Sequence, residues 1–166
     1  MARYDAAAVK VVIFTFKEGL FSAAAHDLKL EITRLTVDVD GTSVRAEFDP
    51  GSLRVITPMK DGAENPTAIP RLLYGEIEKN TFADVLEVKR YPTITFASTS
   101  VSETEVVGQL TLHGKTKEVR GRRAGQTAEF SLDQRDFGIK PFSAMLGALK
   151  VKPVVTVQVT LPATSA

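Results

Sequence analysis

The 166-residue sequence contains no cysteine and no tryptophan, and it has only two histidines. Without cysteine, disulfides and thiolate catalysis are both excluded, although the cellular compartment is not fixed by this absence. The histidines, His26 and His113, are too few for the metal centre of a phosphohydrolase, which the pair His26-Asp27 would otherwise suggest. We therefore expect neither a metal site nor a cofactor.

An excess of charge of one sign is also lacking, because 21 basic residues face 20 acidic ones and leave a net charge of +1. This balance gives no reason to expect a polyanionic partner. One basic ribbon stands out, and it is interpreted as a solvated edge strand that discourages aggregation. Transient contact with a membrane surface is the alternative, and nucleic acid is not expected because stacking aromatics are not interleaved. The ribbon consists of Lys115, Lys117, Arg120, Arg122 and Arg123.

Long hydrophobic runs are missing as well. No stretch approaches the roughly 20 apolar residues of a membrane helix. Near the N-terminus, Asp5 and Lys10 interrupt every apolar run, so no export signal is found and the cytoplasm is the expected compartment. With no repeat and no interdomain linker, residues 1–166 are predicted to form a single domain.

What the sequence does contain is mostly strand signals, namely alternating apolar residues, β-branched side chains, and Gly or Pro punctuation. Apolar residues occupy even positions from Leu28 to Ile32 and odd positions from Leu35 to Val39. This change of parity predicts a bulge or a sharp bend near residues 33–34, as barrels use to turn corners. About eight hairpin-linked strands favour a mainly β fold, an antiparallel barrel or strongly curved sheet.

Two segments depart from the strand pattern. Residues 71–88 carry apolar side chains at helical spacing and are predicted to form one helix between strands, ended by Pro92. Residues 142–149 are apolar and ambiguous, and they are predicted to form a short helical turn or lid. Residues 57–70 hold three prolines and a glycine among polar residues, which predicts a loop.

Three motifs in the second half resemble the YceI-like family. They are residues 88–101 (VKRYPTITFASTSV), residues 108–119 (GQLTLHGKTKEV) and residues 134–139 (QRDFGI), the last followed by Leu146-Gly147. The tyrosine-proline pair after a helix and the His-Gly-x-Thr-Lys turn occur in the order and spacing typical of that family. The resemblance extends more weakly over residues 9–161.

This resemblance implies a lipocalin-like antiparallel β-barrel that binds a polyisoprenoid, an isoprenoid quinone or a fatty-acyl lipid in its interior. It implies a non-enzymatic binding or carrier protein for a long apolar molecule. Apolar burial of about 25 cal/mol per Å² would supply the affinity. An eight-stranded barrel is wide enough either to be filled by its own side chains or to hold one small ligand.

The candidate ligand-binding residues are apolar side chains expected to face the barrel interior or to form a lid over its mouth. An ordinary packed core would use the same residue types, so the sequence does not separate a lining from a filling. The candidates are Phe14, Phe16, Leu30, Ile32, Phe48, Ile94, Phe96, Leu110, Leu112, Phe130, Met145, Leu146, Leu149 and Val157.

Two other functions stay open on the sequence. An enzyme acting on an apolar substrate could use His113 or His26 as its acid–base, which requires a histidine in a cavity beside a carboxylate. A closed barrel filled by phenylalanine rings could instead serve as a protein-interaction module. Edge strands could also pair between copies, so a homodimer is expected.

Overall fold

A computed structural model of the chain describes residues 1–18, 26–144 and 149–163, and these are mostly strands. The strands, in chain order, are β1 (Ala2–Asp5), β2 (Lys10–Thr15), β3 (Asp27–Ile32), β4 (Leu35–Asp40), β5 (Ser43–Phe48), β6 (Leu53–Lys60), β7 (Ala63–Glu64), β8 (Ile94–Val101), β9 (Glu105–Leu112), β10 (Lys115–Ala124), β11 (Thr127–Asp133), β12 (Ser143–Ala144), β13 (Leu149–Lys150) and β14 (Val154–Thr160).

Twelve of these strands form one antiparallel sheet in the order β1-β4-β5-β8-β9-β10-β11-β14-β2-β3-β6-β7. Strands β4 and β5 lie near one end of this order, whereas β3 and β6 lie near the other. The chain nevertheless joins β3 to β4, and β5 to β6, through short bends. The two ends of the sheet are therefore held together, and the sheet curls into a barrel-like shell.

The two bends are hydrogen-bonded to each other and form a single corner. The Thr33 hydroxyl donates to the backbone carbonyl of Ser52 at 2.7 Å, and the Ser52 hydroxyl accepts from the backbone N–H of Arg34 at 2.9 Å. Because Ser52 is only 4% exposed, these bonds form away from solvent. The bend predicted near residues 33–34 is confirmed.

The corner brings apolar faces of the sheet together. Leu35 and Val37 of β4 pack in one buried cluster with Leu30 of β3 and Val55 of β6. A second buried cluster includes Leu110, Phe130 and Phe137. Burial of apolar side chains in the two clusters stabilises the curled sheet.

The helix predicted over residues 71–88 is shorter and less regular than expected. A 3₁₀ turn (Arg71–Leu73) leads into α1 (Tyr74–Asn80), and a π-helical turn (Thr81–Val85) follows. Glu78 of α1 accepts the backbone N–H of Val55 at 2.9 Å, in the place where a neighbouring strand would bond to β6. This bond ties the helical segment to β6.

Two expectations about secondary structure were wrong. The described ends of residues 142–149 are not helical, because Ser143–Ala144 and Leu149–Lys150 pair as antiparallel strands; an apolar run of this length does not distinguish the two states. The rest of the predicted turn or lid, residues 145–148, lies outside the described residues. Residues 57–60, predicted as loop, continue β6 to Lys60. The count of about eight strands is also not confirmed, since corners divide two long strands and short strands are added at the edges. In the part of the chain described, no helix has the length and apolar character that a membrane crossing requires.

Candidate functional site

The curled sheet surrounds a cavity of about 930 Å³. This volume lies at the upper end of the range of small-molecule sites, about 300–1,000 Å³. Inward side chains of β2–β6, β8–β11 and β14 line it, and α1 contributes Ile77. The lining is mostly aliphatic and aromatic, so the interior suits an apolar molecule.

Small side chains on the inner face explain why the interior is not filled. Strands β4 and β5 present Val37, Val39, Val44 and Ala46 to the cavity, with Phe48 at the end of β5 as their one large lining residue. Branched and short side chains of this kind occupy the wall without reaching across the lumen.

Two glycines allow the phenylalanine rings to lie against the wall. An added Cβ at Gly108 of β9 would be 2.4 Å from Phe96, and one at Gly121 of β10 would be 2.6 Å from Phe130. The two rings meet edge to face, with centroids 6.1 Å apart. Each ring therefore packs in the space that a side chain would otherwise take, and the centre of the cavity remains open.

Most of the predicted ligand-binding residues are placed on the cavity wall. Their contact with a ligand stays a prediction. The residues that line the cavity are Leu30, Ile32, Phe48, Ile94, Phe96, Leu110, Leu112, Phe130, Leu149 and Val157. Met145 and Leu146, predicted as part of a lid, lie outside the described residues.

The placement of Phe14 and Phe16 in the interior was wrong. Strand β2 is apolar on both faces, so its register with β3 and β14 decides which of its residues face the cavity. Ile13 pairs with Leu30 and Val157, which line the cavity, whereas Phe14 pairs with Lys29 and Thr156. Both phenylalanines instead border a separate pocket of about 250 Å³.

Several lining residues were missed by the sequence reasoning. Val11 and Ile13 share the face of β2 opposite to Phe14, and the pairing with β3 is the signal that would have identified them. Arg123 was assigned to the solvated basic ribbon. It shares the inward face of β10 with Val119, and both cavity-lining positions of this strand follow that alternation.

Neither histidine meets both requirements of an acid–base site, which are a position on the cavity wall and a neighbouring carboxylate. His113 lies beside a carboxylate, with Nε2 2.6 Å from Oε2 of Glu87, but it is not among the residues that line the cavity. His26 lines the cavity, but in the described part of the chain no carboxylate lies within hydrogen-bonding distance of it. Glu76 is the one carboxylate among the described lining residues, but no hydrogen bond joins it to His26, so neither histidine is both on the cavity wall and bonded to a carboxylate.

Two half-buried carboxyl groups have a lowered pKa, and neither lines the cavity. The side chain of Arg135 hydrogen-bonds to Asp133, which lowers the pKa of that carboxyl, and the backbone N–H of Arg135 adds to the effect. Arg3 similarly lowers the pKa of Asp38 through a side-chain hydrogen bond. Arg3 and Asp38 lie on the paired strands β1 and β4, and Asp133 and Arg135 lie at and just after the end of β11; none of the four is among the residues that line the cavity. Within residues 1–18, 26–144 and 149–163, no cluster of three or more metal-ligating side chains is found.

Comparison with known proteins gives the family. A family model described as YceI-like domain matches residues 5–163. The chain belongs to the YceI-like family. The resemblance seen in the tyrosine-proline and His-Gly-x-Thr-Lys motifs is thereby confirmed for nearly the whole chain.

Relatives of this YceI-like chain are similar over only part of their length. A UPF0312 protein of Pseudomonas putida is 43% identical over 35% of this chain and 40% of its own. Protein YceI of Escherichia coli O157:H7 is 34% identical over 62% of this chain and 61% of its own. The matches thus span less than two thirds of these curated relatives.

Among solved structures, the fold is similar to that of BcnA from Burkholderia cenocepacia. The TM-score is 0.64 at 18% sequence identity, covering 96% of this chain and 99% of that one. At this identity the similarity concerns the fold alone.

Proposed function

We propose that this YceI-like protein binds one long apolar molecule, a polyisoprenoid, an isoprenoid quinone or a fatty-acyl lipid, inside the curled sheet and catalyses no reaction on it. The observation that carries the proposal is the cavity of about 930 Å³ with its largely apolar wall. Transfer of an apolar chain from water into such a space is favourable by about 25 cal/mol per Å² of buried surface. A preformed cavity also limits the ordering cost of binding.

The geometry favours binding over the two alternatives. For an enzyme, the cavity should hold a histidine beside a carboxylate, and His26 and His113 each meet only one of these conditions. For a protein-interaction module, phenylalanine rings should fill the barrel, but Phe96 and Phe130 lie over glycines at the wall.

The test is uptake of a defined apolar probe by delipidated protein. Native mass spectrometry with added geranylgeraniol should give a complex of one probe per chain, and solvent extraction of the purified protein should release a long-chain molecule. Ala46→Phe, which places a ring in the lumen from β5, should reduce uptake by about tenfold or more. Thr95→Phe, at an exposed position of β8, is the matched control and should leave uptake unchanged. No uptake by the native chain, or equal uptake by both variants, would contradict the proposal.

A homodimer, transient contact with a membrane surface and a cytoplasmic location are further parts of this proposal. Strands β1 and β7 are the edges of the main sheet and offer unpaired backbone groups to a second copy. Light scattering measures the mass in solution. A mass of one chain, about 18.0 kDa, would contradict the homodimer.

A further inference from the structure

Arg123 differs from every other basic residue of β10 in facing the cavity. Alternation along the strand places it on the same side as Val119, which lines the cavity too. It is the only lysine or arginine on the cavity wall of the described chain. The other residues of the basic ribbon, including Arg120 and Arg122, are exposed.

The charge of Arg123 is not neutralised by the protein in the way that its neighbours' charges are. Arg120 pairs with Glu105 at 2.7 Å, and Arg122 pairs with Glu129 at 3.7 Å. Arg123 instead donates to two neutral acceptors, the backbone carbonyls of Gly125 at 2.9 Å and Ser102 at 3.0 Å. Among the described residues, no carboxylate lies within 4.0 Å of its guanidinium nitrogens.

Those two bonds fix the guanidinium without using all of its donors. A guanidinium has five N–H groups, and the bonds to the two turns account for two of them. Nη2 makes no hydrogen bond within the described chain. The group is thus held in position between the β8–β9 and β10–β11 turns, with donors left for a further partner.

The surroundings of Arg123 are polar on one side and apolar on the other. Gln126 in the β10–β11 turn and Thr127 at the start of β11 line the cavity beside it. Val101 and Val106, at the ends of β8 and β9, line the wall nearby. A single cation at the end of an apolar cavity matches an amphiphile that carries a long apolar chain and one acidic end.

We infer that Arg123 binds the anionic end, a carboxylate or a phosphate, of a ligand whose apolar chain lies in the cavity. This inference rests on the proposed function and narrows its ligand class. Arginine suits the role because its planar fork binds both oxyanions through paired charge-assisted hydrogen bonds. A neutral alcohol of the same chain length offers the same apolar contact but no charge.

The experiment compares acid and alcohol on the whole chain. Binding of palmitic acid and of hexadecanol is measured by displacement of one neutral fluorescent lipid, with farnesyl phosphate and farnesol as a second pair. The native protein should bind the acid about tenfold more tightly than the alcohol, as is typical of a hydrogen bond to a charged group. The pair with the larger ratio identifies carboxylate or phosphate as the preferred end.

Substitutions then assign the preference to a residue. Arg123→Gln should abolish the preference for the acid while hexadecanol binds as before. Arg122→Gln removes the same charge from the outward face and should leave the preference intact. If Arg123→Gln fails to fold, raising the ionic strength should lower the preference of the native chain, and Arg123→Lys should retain part of it.

The outcomes separate this inference from the proposed function. Equal binding of acid and alcohol by the native protein would overturn the role of Arg123 and leave apolar binding in place. An equal loss of affinity for the acid and the alcohol in Arg123→Gln would also overturn it, because Arg123 would then support the shape of the cavity without recognising the charge. Failure of all four probes to bind would contradict the proposed function itself.

Discussion

Phe96 packs directly on Gly108, so closely that a Cβ at the glycine would lie 2.4 Å from the ring. The glycine is on the inner face of β9, and the ring comes from the adjacent strand β8. Without a side chain at Gly108, the ring lies against the wall rather than across the lumen. The same arrangement recurs between Gly121 and Phe130.

Gly108→Ala should therefore both destabilise the protein and reduce ligand uptake. The new methyl group overlaps the Phe96 ring, and overpacking of this kind costs about 1–3 kcal/mol in the free energy of unfolding. Urea denaturation measures the stability, and native mass spectrometry measures uptake of geranylgeraniol. Gly75→Ala in α1 is the control, since nothing lies within 4 Å of its added Cβ.

A second substitution tests the cause. Phe96→Leu combined with Gly108→Ala removes the overlap with the ring but not that with the backbone carbonyl of Ala97, 2.6 Å from the added Cβ, so it should recover part of the lost stability. An unchanged loss in the double variant would show that the ring is not the source of the effect.

Ser52 is expected to stabilise the corner that curls the sheet. Its buried hydroxyl accepts the backbone N–H of Arg34 and donates to the carbonyl of Asp49 at 2.7 Å. Ser52→Ala leaves that N–H without a partner, which should cost about 1–3 kcal/mol in the free energy of unfolding. Ser43→Ala, at an exposed position, should cost less than about 0.5 kcal/mol. Equal effects of the two substitutions in urea denaturation would contradict this role.

His113 is expected to be structural. Its side chain connects Glu87, after the helical segment, with the backbone carbonyl of Phe137 at 3.1 Å, and its ring lies 4.4 Å from that of Tyr91. His113→Ala removes these contacts and should lower the free energy of unfolding by about 1–3 kcal/mol. Uptake of geranylgeraniol by the folded variant should be retained. A stable variant that binds no probe would place His113 in the ligand site instead.

The pairing of Asp133 with Arg135 should affect the stability of the protein at low pH. Because the folded-state pKa of Asp133 is lowered, the pair stabilises the protein above the unfolded-state pKa, and this contribution is lost as the pH falls through the folded-state pKa. Carboxyl NMR should find the Asp133 pKa below 3.8, and Arg135→Met should raise it. The pKa of Asp38, which pairs with Arg3, should not change in that variant. An Asp133 pKa that is the same in the native chain and in Arg135→Met would show that the pair does not form in solution.

The sequence was sufficient to predict the features that depend on local alternation. The parity change between Leu28–Ile32 and Leu35–Val39 indicated the corner at residues 33–34, and alternation on β8 and β9 placed Ile94 and Leu110 on the inner face. These predictions succeeded because one face of each strand is clearly more apolar than the other.

Where both faces of a strand are apolar, alternation carries no information. Phe14 and Ile13 are equally apolar, and only the pairing of β2 with β3 and β14 decides which one faces inward. The pairing of β12 with β13 likewise depends on a partner strand. Whether the interior is hollow depends on contacts between strands, such as that of Phe96 with Gly108, which the order of residues along the chain does not reveal.

A crystal structure of the protein with 12-bromododecanol is the most direct test of the central claim. Anomalous scattering should locate bromine inside the curled sheet, near Leu30, Phe96 and Phe130, with the carbon chain continuing along the lumen. Bromine found only on the outer surface, or an interior closed by side chains, would contradict it.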